Sequence, residues 1–155
     1  MEIPFNELKK EIIGLLKKNK ILVLATCCEN RVTARSMSCV NMELSILFQT
    51  DKEFLKYEQI VNNSNVALCA GNMQIEGTAV IRNHPLDESN KEFIELYKDS
   101  HLGSYEKYSH LENNVVIEVR PTVVTLWKYV DGMPCRDYLY VQEGKAKRER
   151  YDISN

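Results

Sequence analysis

Residues 21–50 read ILVLATCC-ENR-VTARSMSCV-NME-LSILFQT: three short runs separated by the triplets Glu29-Asn30-Arg31 and Asn41-Met42-Glu43. Ile21 to Thr26 is a short, β-rich apolar run of the kind that forms a buried strand. Val32 to Val40 alternates in residue type, and Ser45 to Thr50 supplies a third strand. A meander of short strands on short turns favours an antiparallel barrel or sandwich.

The flanking sequence fits that frame. Upstream, Phe5, Leu8, Ile12, Leu15 and Leu16 recur at helical spacing, with Pro4 near the start and Asn19 able to end the helix. Downstream, Asp51 to Val61 suits a short helix that Asp51 would cap. Residues 62–65 are a loop, followed by strands Val66 to Ala70 and Gln74 to Ile81. Gly77 inside the second implies a bulge or a close backbone approach. Asp87 to Lys98 offers another helical face, and His101 to Asn114 has no period and reads as a loop. Val115 to Val119 and Thr122 to Val130 are strands, with Pro121 confined to an edge or junction. Asp131-Gly132 is a hairpin signal before Tyr138 to Val141.

Seven or so strands and three helices, not alternating as a doubly wound sheet would, make the expected fold mainly β with peripheral helices. A closed or nearly closed antiparallel barrel also removes the exposed edges of so many short strands. Residues 1–155 are expected to form one domain ending in a polar tail over 142–155, where the basic run from Lys145 to Arg150 is broken by Glu149.

The chain has 155 residues, 44% of them apolar and 27% charged, with a formal net charge of −2. That balance gives no electrostatic reason to expect a nucleic-acid or membrane partner. No run of about 18 apolar residues offers a membrane span, and the charged N-terminus is unlike a signal peptide. Five cysteines without C-x-x-C spacing argue for reduced thiols in a cytoplasmic protein, most of them buried as small hydrophobes. His84, His101 and His110 show no metal spacing and read as solvated or structural.

Arg35 and Lys56 are the candidates for binding chemistry, although each alone also reads as an ordinary cation, exposed on an edge strand and on a helix respectively. Arg35 lies mid-strand with Thr33, Met37 and Cys39 on its face, a costly place for a guanidinium unless an anion receives it. Lys56 lies near the start of the following helix. A donor fork, a point charge and a helix N-terminus together suit a phosphate.

Six segments in order complete a pattern: Ile21 to Thr26, Arg35-Ser36-Met37-Ser38, Leu47 to Thr50, Lys56 to Ile60, Asn63 to Leu68, and Glu76-Gly77-Thr78-Ala79. It resembles the pyridoxamine 5′-phosphate oxidase-like FMN-binding split-barrel family, in particular its short general-stress-protein branch. The resemblance is good over 21–82 and extends loosely to Trp127.

It implies an antiparallel split β-barrel that holds FMN between the subunits of a homodimer. Arg35 and Lys56 would take the flavin phosphate, and the backbone of Arg35, Ser36, Met37 and Ser38 would run beside the ring. Gln49 and Thr50 would contact the flavin from the next strand. Asn72 or Gln74, which are expected to share a face, would bond the ring's polar edge, and Trp127 would approach from the second subunit.

Departures from the pattern matter. Phe54 stands where relatives often carry Ser, and Ser64 where a Pro is usual. Val40 occupies the position of the substrate-binding Lys of the true oxidases. The Arg-and-His signature of those oxidases is missing after Trp127. The resemblance therefore implies a flavin-dependent oxidoreductase of unidentified substrate, not a pyridoxine-phosphate oxidase. The alternative is a flavin buffer or sensor without turnover. An oligonucleotide-binding barrel is disfavoured by the charge and by the lack of interleaved basic and aromatic residues.

Overall fold

The computed structural model describes residues 1–154. Its elements run β1 (Glu2–Ile3), α1 (Phe5–Lys18), β2 (Ile21–Cys28), β3 (Arg31–Ser38), β4 (Val40–Met42), β5 (Ser45–Asp51) and α2 (Leu55–Asn62). They continue with β6 (Asn65–Ala70), β7 (Met73–Ile81), a 3₁₀ turn, α3 (Lys91–Ser100), α4 (Leu102–Tyr108), β8 (Asn114–Val130), β9 (Met133–Tyr140) and β10 (Lys145–Arg150). The strands form an antiparallel split barrel in the order β1-β10-β9-β8-β7-β6-β2-β3, with β5 added to β8 and β4 to β5. Among the described residues no helix is long and apolar enough to cross a membrane.

Two-residue turns set the register. Glu29 and Asn30 (φ 48° and 64°) join β2 to β3, and Asp131 and Gly132 (φ 52° and 77°) join β8 to β9. Positive φ at both positions gives a turn whose twist matches the strands it connects. In β2 the inward residues Leu22, Leu24 and Thr26 are buried, while Ile21 and Val23 remain 54% and 38% exposed. The strand expected to be buried throughout is therefore buried on one face only.

β8 is a single strand of 17 residues and not the two that Pro121 implied. One edge of β8 pairs over Ile117–Leu126 with the whole of β7. The other edge pairs with β5 over Asn114–Val119 and with β9 over Val123–Val130. Pro121 sits where that second edge changes partner, so its missing N–H interrupts no continuous ladder. Glu76 pairs with Val123 but Gly77 with Pro121, leaving Thr122 bulged out. A Cβ on Gly77 would stand 2.7 Å from the Arg120 carbonyl oxygen, so bulge and close approach occur together.

The main core packs α1, through Leu8, Ile12 and Leu16, onto barrel residues such as Leu24, Phe48, Ile75, Ile117 and Leu139. A second, smaller core joins α3 to the sheet through Phe93, Tyr97, Val40, Leu47 and Val116. Asp51 does not head α2. Phe54 does, without a side-chain cap, while the Asp51 carboxylate accepts from the Glu53 N–H at 2.8 Å in the preceding turn.

Two segments differ from expectation. The stretch expected as a loop over 101–114 contains α4, a helix too short and too exposed to display a period. The expected polar tail over 142–155 contains β10, paired with β9 across all six of its residues. Ala146 there is 3% exposed, and Arg148 and Glu149 face Asp137 and Arg136 of β9, so charge is matched across the pair. Of the cysteines only Cys39 and Cys135 are buried, against the expectation that most would be; Cys27 and Cys28 at the end of β2 are partly buried and Cys69 on β6 is exposed.

Candidate functional site

β3 ends the sheet path, and Arg35 on it pairs with Leu24, whose side chain points inward. Residues directly opposite on antiparallel strands share a face, so Arg35 also points inward. Its Nη1 donates to Thr26 Oγ1 at 2.8 Å and to the Leu24 carbonyl at 3.3 Å, and its Nη2 donates to Thr33 Oγ1. Both threonine hydroxyls donate to Oε1 of Gln59, which is 2% exposed. Gln59 Nε2 donates to the Arg31 carbonyl at 3.0 Å.

Gln59 lies three positions after Lys56, so α2 carries both on neighbouring turns. The Lys56 ammonium stands 4.7 Å from the ring centre of Phe54. The residue that replaces a hydroxyl in the family pattern therefore gives Lys56 an aromatic face. Burial, then the nearby charge of Arg35, pull Lys56 below its ordinary value, against a smaller opposing pull from Asp51. Burial also lowers Arg35. Among the described residues neither cation forms a salt bridge. Both cations are thus lowered by burial, Lys56 also by Arg35, and only the weaker pull of Asp51 on Lys56 offsets this, which is the electrostatic setting an added anion would relieve.

Beside them lies a cavity of about 310 Å³ lined by Ser36, Met37, Ser38, Gln49, Thr50, Asp51, Phe54 and Lys56. Six of the ten residues named from sequence thus meet around one space. Its far wall is Tyr97, which lies on the helical face expected over Asp87 to Lys98, with Ser104, Tyr108, Leu111 and Asn114 from the stretch expected as a loop. Tyr97 and Ser104 share a hydrogen bond at 2.8 Å, and burial raises the Tyr97 phenol. His101 bonds the Cys39 carbonyl at 2.8 Å and lies 5.0 Å from the Tyr97 ring, holding the α3–α4 junction against the β3–β4 junction. Ser109 donates to Gln49 Oε1 at 2.8 Å, which fixes the orientation of that amide. His84 bonds the Leu111 carbonyl through Nε2 and accepts from the Leu86 N–H through Nδ1, a structural arrangement.

Asn72, Gln74 and Trp127 are not brought to that cavity. They line a separate groove of about 690 Å³ with Cys69, Thr125, Arg136, Tyr138 and Tyr140. Asn72 belongs to the turn opened by Gly71 (φ 53°), and only Gln74 lies on β7, so the two do not share a strand face as expected. Trp127 packs edge-on against Tyr129 at 6.3 Å, and the Arg136 guanidinium lies 5.5 Å from its ring centre. The registers place Ser36, Val23, Cys69, Gln74, Thr125 and Tyr138 in one row across the outer face of the sheet. The groove and the β3 end of the cavity therefore border a common surface.

Solved structures with this fold include General Stress Protein 26 from Bacillus anthracis, 18% identical with a TM-score of 0.62, covering 94% of this chain and 99% of that one. A pyridoxamine 5′-phosphate oxidase-related, FMN-binding protein from Nostoc punctiforme is 13% identical with a TM-score of 0.63, covering 97% and 98%. The haem storage protein HutZ from Vibrio cholerae is 15% identical with a TM-score of 0.62, covering 74% and 89%. At these identities the likeness is one of fold. No curated protein matches the chain. The pyridoxamine 5′-phosphate oxidase family model matches residues 8–128. The chain, with its split barrel and its cation pair beside a strand-lined cavity, is a member of that family.

Proposed function

We propose that the protein binds FMN in a homodimer and serves as a flavin-dependent oxidoreductase on a small substrate. The observation that supports this most is the Arg35–Lys56 pair, neither member of which forms a salt bridge among the described residues: Lys56 lines the cavity edged by Ser36, Met37 and Ser38, and Arg35 precedes that edge on β3. A phosphate monoester supplies the missing charge. The cavity beside it, walled by Gln49 and Thr50, offers a flat ring both apolar contact and amide or hydroxyl donors. Bound FMN would supply hydride chemistry, and the chain's residues would position the ring and exclude water.

The homodimer is argued from the outer face. Ile21, Val23 and Tyr129 leave 54%, 38% and 65% of their surface exposed on or near the row that joins groove to cavity. A two-fold contact there would set Asn72, Gln74 and Trp127 of one protomer against the cavity of its partner, giving two equivalent sites from one patch. FMN held by both chains should then stabilise the dimer by mass action. Purified protein, once denatured, is expected to release flavin fluorescence, and light scattering should show a dimer that FMN strengthens. A holo-protein that stays monomeric at concentrations on the order of tens of micromolar, with stoichiometric flavin, would refute the shared site. Turnover of NAD(P)H with an electron acceptor separates an oxidoreductase from a protein that only stores or senses flavin.

Pyridoxine 5′-phosphate is not the substrate in this proposal. Val40 is 8% exposed and packs in the second core with Phe93 and Tyr97, so that position offers no charge to a phosphate. Oxidation of pyridoxine 5′-phosphate is expected to be absent or far slower than about 1 per second. An oxidase assay reaching that rate would show that another group takes over the lysine's part.

A further inference from the structure

We infer that Gln59 is a positioning residue for the anion site, acting through Thr26 and Thr33 on the Arg35 guanidinium; this rests on the assignment of Arg35 and Lys56 to a phosphate. The guanidinium sets the direction of the network, and the Thr26–Thr33 hydroxyl contact, at 3.3 Å, is longer than either hydroxyl's contact with Gln59 Oε1. A guanidinium only donates, so Thr26 and Thr33 must accept from Nη1 and Nη2. Each hydroxyl has one proton left to give, and both give it to Gln59 Oε1. The amide therefore turns its Nε2 away, where the Arg31 carbonyl receives it. Gln59 and Thr26 are 2% and 1% exposed, so the arrangement has little water to fall back on.

This fixes which edge of Arg35 is offered. Of its five N–H donors, two on Nη1 go to Leu24 and Thr26 and one on Nη2 goes to Thr33. The two that remain, on Nε and Nη2, lie side by side along one edge of the plane. That edge is the fork that grips two oxygens of a phosphate at once. Because Gln59 and Lys56 share α2, the same helix fixes the fork and delivers the second positive charge. Without the Gln59 acceptor the hydroxyls lose their common target, the guanidinium is free to rotate, and the fork is no longer held ready.

The test compares FMN with riboflavin, which lacks the phosphate, by calorimetric titration of wild type, Gln59→Met, Arg35→Ala and the double variant. Gln59→Met is expected to weaken FMN binding roughly tenfold or more while riboflavin affinity stays level. In the Arg35→Ala background it should add nothing further, because its route of action is gone. Equal losses for both ligands, or the same loss with and without Arg35, would reduce Gln59 to a packing role and overturn the inference. An unchanged FMN preference in Gln59→Met would overturn it too, while leaving the phosphate assignment standing. Failure of the assignment itself would show as a wild type with no preference for FMN, and the inference would fall with it. If Gln59→Met does not fold, Thr33→Val removes the Nη2 partner at a half-buried position and must show the same selective loss.

Discussion

Arg35→Ala is expected to weaken FMN binding by about 2–5 kcal/mol, with riboflavin affinity changed only slightly. The argument is one of unpaired charge. A phosphate monoester brings close to two negative charges at neutral pH, and Lys56 alone would have to balance them in a half-buried site. Arg35→Lys should recover only part of the loss, because an ammonium is a point charge and cannot present two parallel donors. Lys56 would also find its own surroundings less repulsive, since the Arg35 charge is among the causes that lower it. Calorimetric titration of both flavins decides the matter. Unchanged FMN affinity in Arg35→Ala would remove Arg35 from the site whatever its geometry.

The split barrel was legible where the sequence punctuates itself. Asp131-Gly132 has a turn chemistry with one common use, and Gly77 signals a place no side chain can occupy. Pro121 misled for a physical reason. A missing N–H ends a strand only where the ladder needs it, and here one edge of the strand is changing partner. β10 hid because its composition is that of a solvated segment, with only Ala146 buried among charged neighbours. What makes it a strand is cross-strand pairing with β9, which no local window contains.

The site divides in the same way. Arg35 and Lys56 stood out because charge at those positions asks for a partner. Gln59, Thr26 and Thr33 did not, although Gln59 lies three residues from Lys56, because a glutamine on a short helix is ordinary until its neighbours are known to be hydroxyls. Ser104 and Tyr108 were out of reach for a different reason: α4 places both, and a helix of seven residues with no buried side chain leaves no period to find, whereas Tyr97 showed as a helical face but not as a cavity wall. Nor does order along the chain show that Asn72, Gln74 and Trp127 border another space from Lys56 and Ser36 to Ser38.

Asp137→Ala is expected to cost about 3 kcal/mol of folding stability, the low end of what breaking a buried ion pair costs. The Asp137 side chain is 0% exposed, and Arg148 grips both its oxygens at 2.7 Å while Lys128 stands 2.8 Å away. Lys128 also pairs with Glu11 on α1 at 2.8 Å, so the cluster ties the first helix to β8, β9 and β10. The low end applies because Lys128 keeps Glu11 and both cations reach some water, at 25% and 17% exposed. Burial alone would raise the Asp137 carboxyl, but the hydrogen bonds and charges of Arg148 and Lys128 together outweigh it and hold the group below its ordinary value. A depressed folded-state value means the carboxylate's contribution is fully present above the unfolded value of about 3.9 and drains away as pH falls below it. Asp137→Asn, which cannot titrate, should therefore be less stable than wild type at pH 7, and the gap should narrow in acid. With a urea slope of about 2 kcal/mol/M, a loss of about 3 kcal/mol moves the unfolding midpoint of Asp137→Ala down by roughly 1.5 M at neutral pH. Parallel stability curves for wild type and Asp137→Asn from neutral pH down into the acid range would mean that the cluster is held by packing and not by charge.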